Sequence, residues 1–141
     1  KGYALEKFKE IIKNQGGNPD VVDDYSLLPK SRFTHELTSE NDLFIKDIDP
    51  LKLGIAALKL GAGRQKKDDV IDYSVGIELF GKIGDRIKKG EPYAKVYAND
   101  KDKLKIALEE VRSSFVFSDV YVQKRRVIFA KVTKDSIIER M

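Results

Sequence analysis

Apolar residues recur at helical spacing at the start of the chain, where Ala4, Leu5, Phe8, Ile11 and Ile12 share one face and Gly16 and Gly17 follow as a left-handed stop. The spacing predicts an amphipathic helix over 3–15. From 17 to 31 the periodicity vanishes, and Asn18-Pro19, Asp23-Asp24 and Pro29 mark an irregular connection. Two short strand-like runs come next, 33–38 and 43–48, separated by SEND at 39–42, which has the length and composition of a hairpin turn.

Asp49 is placed to cap a helix, and Pro50 suits its first position. The run 51–60 is apolar nearly all round, which predicts a buried helix ending at Gly61. Beyond the glycine-rich stretch LGAGRQKKDDVIDYSVG at 60–76, Tyr73, Val75, Ile77 and Leu79 alternate with Ser74, Gly76, Glu78 and Phe80, a strand with one buried face. The segment 81–92 is turn-rich, and YAKVYA at 93–98 alternates again. Asn99 or Asp100 caps a third helix that carries Leu104, Ala107, Leu108 and Val111 on one face. Two further apolar runs, 114–122 and 126–132, read as strands, and the charged tail is expected to fray. The inventory is an α+β fold, an antiparallel sheet with segregated helices, rather than a series of βαβ units.

Composition narrows the function classes. A chain of 141 residues, 41% hydrophobic, is the size of one ordinary domain. It contains no cysteine, which removes disulfides, thiol nucleophiles and thiolate metal sites. No apolar run reaches the roughly 20 residues that a membrane helix needs, and no leader pattern is present, so a soluble cytoplasmic protein with no membrane partner is expected. The net charge of +4 comes from cations interleaved with acids, as in KKDD at 66–69, which argues against a nucleic-acid partner.

Candidate chemistry is sparse. A phosphate loop favours the order strand, glycine loop, helix N-terminus, whereas here a helix runs into Gly61 and aims its negative end at the loop. The stretch GAGR therefore reads as a helix stop followed by a solvated cationic turn, with ligand contact through Arg64, Lys66 and Lys67 as the alternative. His35 is the sole histidine; without a cysteine or second histidine it makes no metal site, and acid–base work would need Glu36 or Glu40 beside it. It reads as a structural or surface residue. Ser31, Ser39, Ser74, Ser113 and Ser118 lack the G-x-S-x-G elbow, and the acidic stretches lack the alternation and glycine of a calcium loop. QKRR at 123–126 reads as a solvated strand edge that resists edge pairing. On these residues alone the chain has no catalytic constellation.

Three segments taken together change the picture: ALEKFKEIIKNQGGNPDVVDD (4–24), LGIAALKLGAGRQKKDDVIDYSVGIEL (53–79) and GDRIKKGEPYAKVYAND (84–100). In this order and spacing the chain resembles the C-terminal part of the pyrimidine-nucleoside phosphorylase and thymidine phosphorylase family, over about residues 2–113, with LGAGR followed by DVIDYSVG as the most specific part. The resemblance implies a parent enzyme that is a pentosyltransferase. It cleaves uridine, thymidine or deoxyuridine with inorganic phosphate as co-substrate, giving free base and pentose 1-phosphate, without a cofactor or metal.

It also implies a division of the chain. Residues 1–16 would be the terminal helix of a preceding α/β domain, 17–31 a linker, and 32–141 a hammerhead-like unit of barrel-sandwich-hybrid type. The parent would be a homodimer formed through an N-terminal domain absent from these residues. The family's phosphate-binding, base-recognising and catalytic residues belong to that earlier portion, and its S-G-R-G and T-G-G-T-D signatures do not occur here. No catalytic residue carries over, and His35 does not inherit the catalytic histidine's role.

What carries over is the glycine-rich loop, which the resemblance sets on the cleft side of the large domain and orders as the domains close. Gly61 and Gly63 would permit its turn, with Arg64 and, secondarily, Lys66 supporting the closed cleft. The fragment alone would be inactive. Two other classes compete: a carrier module, because GKIGDRIKKGEPYAKVYA resembles the second half of biotinyl or lipoyl domains though without a modifiable lysine at a hairpin tip, and a freestanding interaction domain.

Overall fold

The computed structural model describes residues 2–64, 66–126, 128, 130–134 and 137–139. Its first helix, α1 (Tyr3–Asn14), ends where the periodicity does, and Gly16 takes the left-handed conformation with φ 79°. Two 3₁₀ turns follow, Pro19–Val22 and Tyr25–Leu27, each opened by a side chain: Asn18 accepts from the Asp20 amide and Asp24 from the Ser26 amide. No residue of α1 or of these turns is buried. The helix packs on the first turn, where Lys9 pairs with Asp23 at 2.8 Å.

Strands β1 (Phe33–Thr38) and β2 (Leu43–Ile48) lie where the strand-like runs put them, yet they do not form a hairpin. β1 pairs with β5 (Pro92–Ala98), whose other edge carries β3 (Gly76–Leu79). β2 sits instead between β4 (Arg86–Ile87) and β6 (Phe115–Ser118) in a second antiparallel sheet. Residues 39–42 are therefore a crossover between sheets. The buried Ser39 gives its amide to Glu91 O and takes the Gly90 amide, and Asp42 accepts from the Lys89 amide and Arg86. These bonds to the 88–91 turn replace the ladder a hairpin would have supplied. A small third sheet pairs β7 (Ala130–Val132) with β8 (Ile137–Glu139).

Helix α2 (Pro50–Leu60) is capped by Asp49, whose carboxylate accepts from the Leu51 and Lys52 amides. It packs against α3 (Lys101–Ser114), capped in the same way by Asp100 through the Asp102 and Lys103 amides. The expectation that α2 is buried holds for one side only. Ala56 and Leu60 enter the core, but Leu51 is 71% exposed and Ile55 lies beside it one turn on, because α3 covers a single face. Leu104, Ala107, Leu108 and Val111 of α3 do face the core.

That core is the seam between helices and sheets. Val96 and Ala94 of β5, Leu37 of β1, Ile45 of β2, and Ala107 and Val111 of α3 are all buried in it. Tyr93 joins the two sheets by packing edge-on against Phe115 at 4.8 Å and Phe117 at 5.1 Å, a geometry favoured by the aromatic quadrupole.

Three further expectations differ from the structure. The strand beginning at Tyr73 starts only at Gly76, leaving Tyr73 81% exposed, because Asp72 and Ser74 turn the chain before it reaches β5. The runs 114–122 and 126–132 shorten to β6 and β7, and residues 127 and 129 of the second lie outside the described residues. The tail, expected to fray, contributes β8. No helix among the described residues is long and apolar enough to cross a membrane.

Candidate functional site: the glycine-rich loop

The loop begins where α2 ends. Gly61 has φ 105°, and the amides of Gly61 and Ala62 return to the carbonyls of Leu58 and Ala57. These paired bonds form a Schellman cap, which only a residue tolerant of positive φ permits without strain. They close off two of the carbonyls that would otherwise face an anion. Gly63 serves a different purpose. Its φ is not positive, and a Cβ there would stand 2.9 Å from Leu58 Cδ1, the end of a flexible side chain that can shift, so the close approach favours glycine without requiring it.

Beyond it, Arg64, Lys66 and Lys67 are exposed. The Lys66 amide donates to the Asp69 carboxylate at 2.8 Å and the Asp69 amide to Lys66 O at 3.2 Å, a reciprocal turn at the loop tip. The loop then returns to its starting point, with the Asp72 amide on Gly61 O at 2.9 Å. Ends this close make residues 61–72 an Ω-loop. Its side facing α2 and α3 lines a groove of about 350 Å³ with Lys59, Val70 and Lys103, and Lys59 is paired with Glu110 of α3.

The base of the loop is the best-bonded polar cluster nearby. Asp72 accepts from the Ser74 hydroxyl at 2.6 Å, the Ser74 amide at 3.0 Å and Asn99 Nδ2 at 2.7 Å. The hydrogen bonds from Ser74, and then that from Asn99, hold the Asp72 carboxyl below the usual carboxylate range. No residue pattern in the sequence announces this cluster, though D-Y-S just before a strand has the spacing of an Asx turn.

The other candidates are dispersed. His35 is exposed on β1 opposite Val96, and its possible partner Glu36 is paired with Lys95 at 3.1 Å instead. Among the described residues no group of three or more His, Cys, Asp or Glu is placed to hold a metal ion. QKRR is not a strand edge. It crosses the 81–85 turn, with Lys124 bonded to Asp85 at 2.7 Å and Arg125 to Asp47 at 3.0 Å. The contact requires Gly84, where φ is 87° and a Cβ would lie 2.7 Å from the Lys124 Cα atom. The bond from Lys124, then that from the Lys82 amide, lowers the Asp85 pKa.

The loop thus offers exposed cations on a fixed base, in which the Ser74 hydroxyl and Asp72 carboxylate are bonded to each other and to Asn99. The exposed cations of this arrangement can position or screen an anion.

The family described as "Pyrimidine nucleoside phosphorylase C-terminal domain" matches residues 44–118, which run from β2 through the loop to β6. The chain is 46% identical over 98 residues to the pyrimidine-nucleoside phosphorylase of Bacillus subtilis (strain 168), covering 70% of this chain and 23% of that protein. Against the pyrimidine-nucleoside phosphorylase of Geobacillus stearothermophilus it is 36% identical over 132 residues, covering 94% of this chain and 30% of the relative. The match to the protein of the same name from Staphylococcus epidermidis (strain ATCC 12228 / FDA PCI 1200) is 42% over 101 residues, 72% of this chain and 23% of the relative. The chain therefore spans less than a third of the length of these relatives.

Proposed function

Since the chain belongs to the pyrimidine nucleoside phosphorylase C-terminal domain family, we propose that it serves as the C-terminal domain of an enzyme that splits pyrimidine nucleosides with inorganic phosphate. The observation that carries this reading is the match over 44–118, which contains the whole glycine-rich loop. In this reading the parent is a pentosyltransferase. Uridine, thymidine or deoxyuridine and phosphate are its substrates, free base and pentose 1-phosphate its products, and no cofactor or metal takes part. The complete protein pairs as a homodimer through a domain outside this chain and works in the cytoplasm.

Within that enzyme residues 1–16 close a preceding α/β domain, 17–31 link, and 32–141 form a hammerhead-like unit. The role assigned to the unit is support of the closed cleft. Gly61 and Gly63 shape the loop, and Arg64, assisted by Lys66, adds positive charge where phosphate is held against the anomeric carbon. Closure of this kind excludes water and orients the reactants, a contribution of position rather than of bond chemistry.

The test is phosphate-dependent base release by the complete enzyme carrying Arg64→Ala. Loss of an oriented cation should lower turnover by roughly tenfold or more, while the melting temperature stays unchanged because Arg64 is exposed. Unaltered kinetics would remove Arg64 from the cleft.

A further inference from the structure

The base of the loop is bonded to more than itself. Asn99 donates from Nδ2 to the Asp72 carboxylate at 2.7 Å and to the Ser74 hydroxyl at 2.7 Å. From its opposite end, Oδ1 accepts the Arg32 amide at 2.8 Å. Arg32 is where the chain leaves the irregular segment and enters β1, and Asn99 is where it leaves β5 and enters α3. Because both ends of the Asn99 amide are engaged, its orientation is fixed: a flip would set an N–H against the Arg32 N–H and an oxygen against the Asp72 carboxylate.

We infer that Asp72 and Asn99 are positioning residues that make the base of the 61–72 loop and the chain's entry at Arg32 a single mechanical unit, so that the loop's orientation is set by the segment preceding β1. Asp72 holds the loop closed through its amide on Gly61 O and holds Asn99 through its carboxylate. Asn99 in turn holds Arg32. The depressed Asp72 pKa fits a carboxylate that stays charged in this role. The coupling stands on these hydrogen bonds; only its consequence for turnover rests on the phosphorolysis reading, in which movement of the preceding domain would be passed to the loop through Arg32.

Amide hydrogen exchange in this chain, followed residue by residue by NMR, tests it. Three amides report: Asp72 for the loop base, Arg32 for the chain entry, and Val96, buried in the central strand, for the fold as a whole. Asp72→Ala should speed exchange at Arg32 roughly tenfold, the order expected when a charged acceptor no longer orients its partner, although the Asp72 side chain does not bond to Arg32. Asn99→Ala should speed exchange at Asp72 to a similar extent.

Val96 should not change in any of them. Should it change in the alanine variants, Asn99→Asp is read instead. That substitution keeps an oxygen for the Arg32 amide while setting a second carboxylate against Asp72, so it breaks the same link as Asp72→Ala and should loosen both the Asp72 and the Arg32 amides. Exchange at Arg32 that stays within twofold in Asp72→Ala, or an Asp72 amide unmoved by both Asn99 variants, overturns the coupling whatever Arg64 proves to do for turnover.

Discussion

Two glycines with positive φ do different work, and their side-chain tolerance should differ accordingly. At Gly61 a Cβ would meet only the Asp72 Cβ atom, at 3.9 Å, so alanine costs backbone strain and little else. At Gly84 the same strain is joined by overlap with the backbone of Lys124, whose N would stand 2.8 Å from the new carbon. A backbone cannot swing aside as a side-chain end can, and the 121–126 segment would have to lift from the turn, taking with it the Lys124–Asp85 pair. Gly61→Ala should therefore lower stability by about 1–2 kcal/mol, and Gly84→Ala by about 2–5 kcal/mol once displacement is added. Urea unfolding midpoints of the two variants give the comparison; equal losses would mean that the Lys124 backbone does not rest on Gly84. The need for glycine at 61 was legible in the sequence as a helix stop. At 84 it was not, because the atoms that enforce it lie 40 residues away.

At the scale of elements the same division recurs. The bounds of β1 and β2 match the strand-like runs to the residue, yet a strand pattern does not say which strand lies beside it. The SEND segment has hairpin composition, but the bonds of Ser39 and Asp42 to the 88–91 turn and the aromatic seam of Tyr93, Phe115 and Phe117 lead β1 and β2 into separate sheets. α1 is the opposite case. Its amphipathic pattern was legible, and its apolar face remains open: Phe8 is 52% exposed and nothing in the helix is buried. Its packing neighbour is the turn that follows it.

An element that buries nothing contributes little to the core it precedes. Removing residues 1–28, which leaves the Ser31 hydroxyl on Phe33 O and the Arg32 amide on Asn99 in place, should change the melting temperature by less than about 3 °C, the range expected of surface changes in a domain of this size. A larger drop would show that α1 is seated on the core in solution.

For the molecule as a whole, the sequence left unmarked the bonds that join residues far apart along it. The pattern of residues led to a family and to a loop, while the cluster that anchors the loop, Asp72, Ser74 and Asn99, joins positions up to 27 residues apart and left no linear mark beyond D-Y-S. The Ser74 hydroxyl and Asp72 carboxylate at the loop base are bonded to each other and to Asn99, His35 stands exposed on β1, and its neighbour Glu36 is already paired with Lys95. In the proposed reading such a domain holds geometry for chemistry done by other groups. This chain alone should therefore release no uracil or thymine from uridine or thymidine in the presence of phosphate, and release should begin when it is mixed with the remaining two-thirds or more of a relative such as the Bacillus subtilis protein, of which the matched part is 23%. Ultraviolet detection of the free base, with and without phosphate, separates the cases. Activity that needs both parts supports a domain completing a site housed elsewhere. Activity from this chain by itself would locate the chemistry among its own residues, and Arg64 and His35 would be the first to replace.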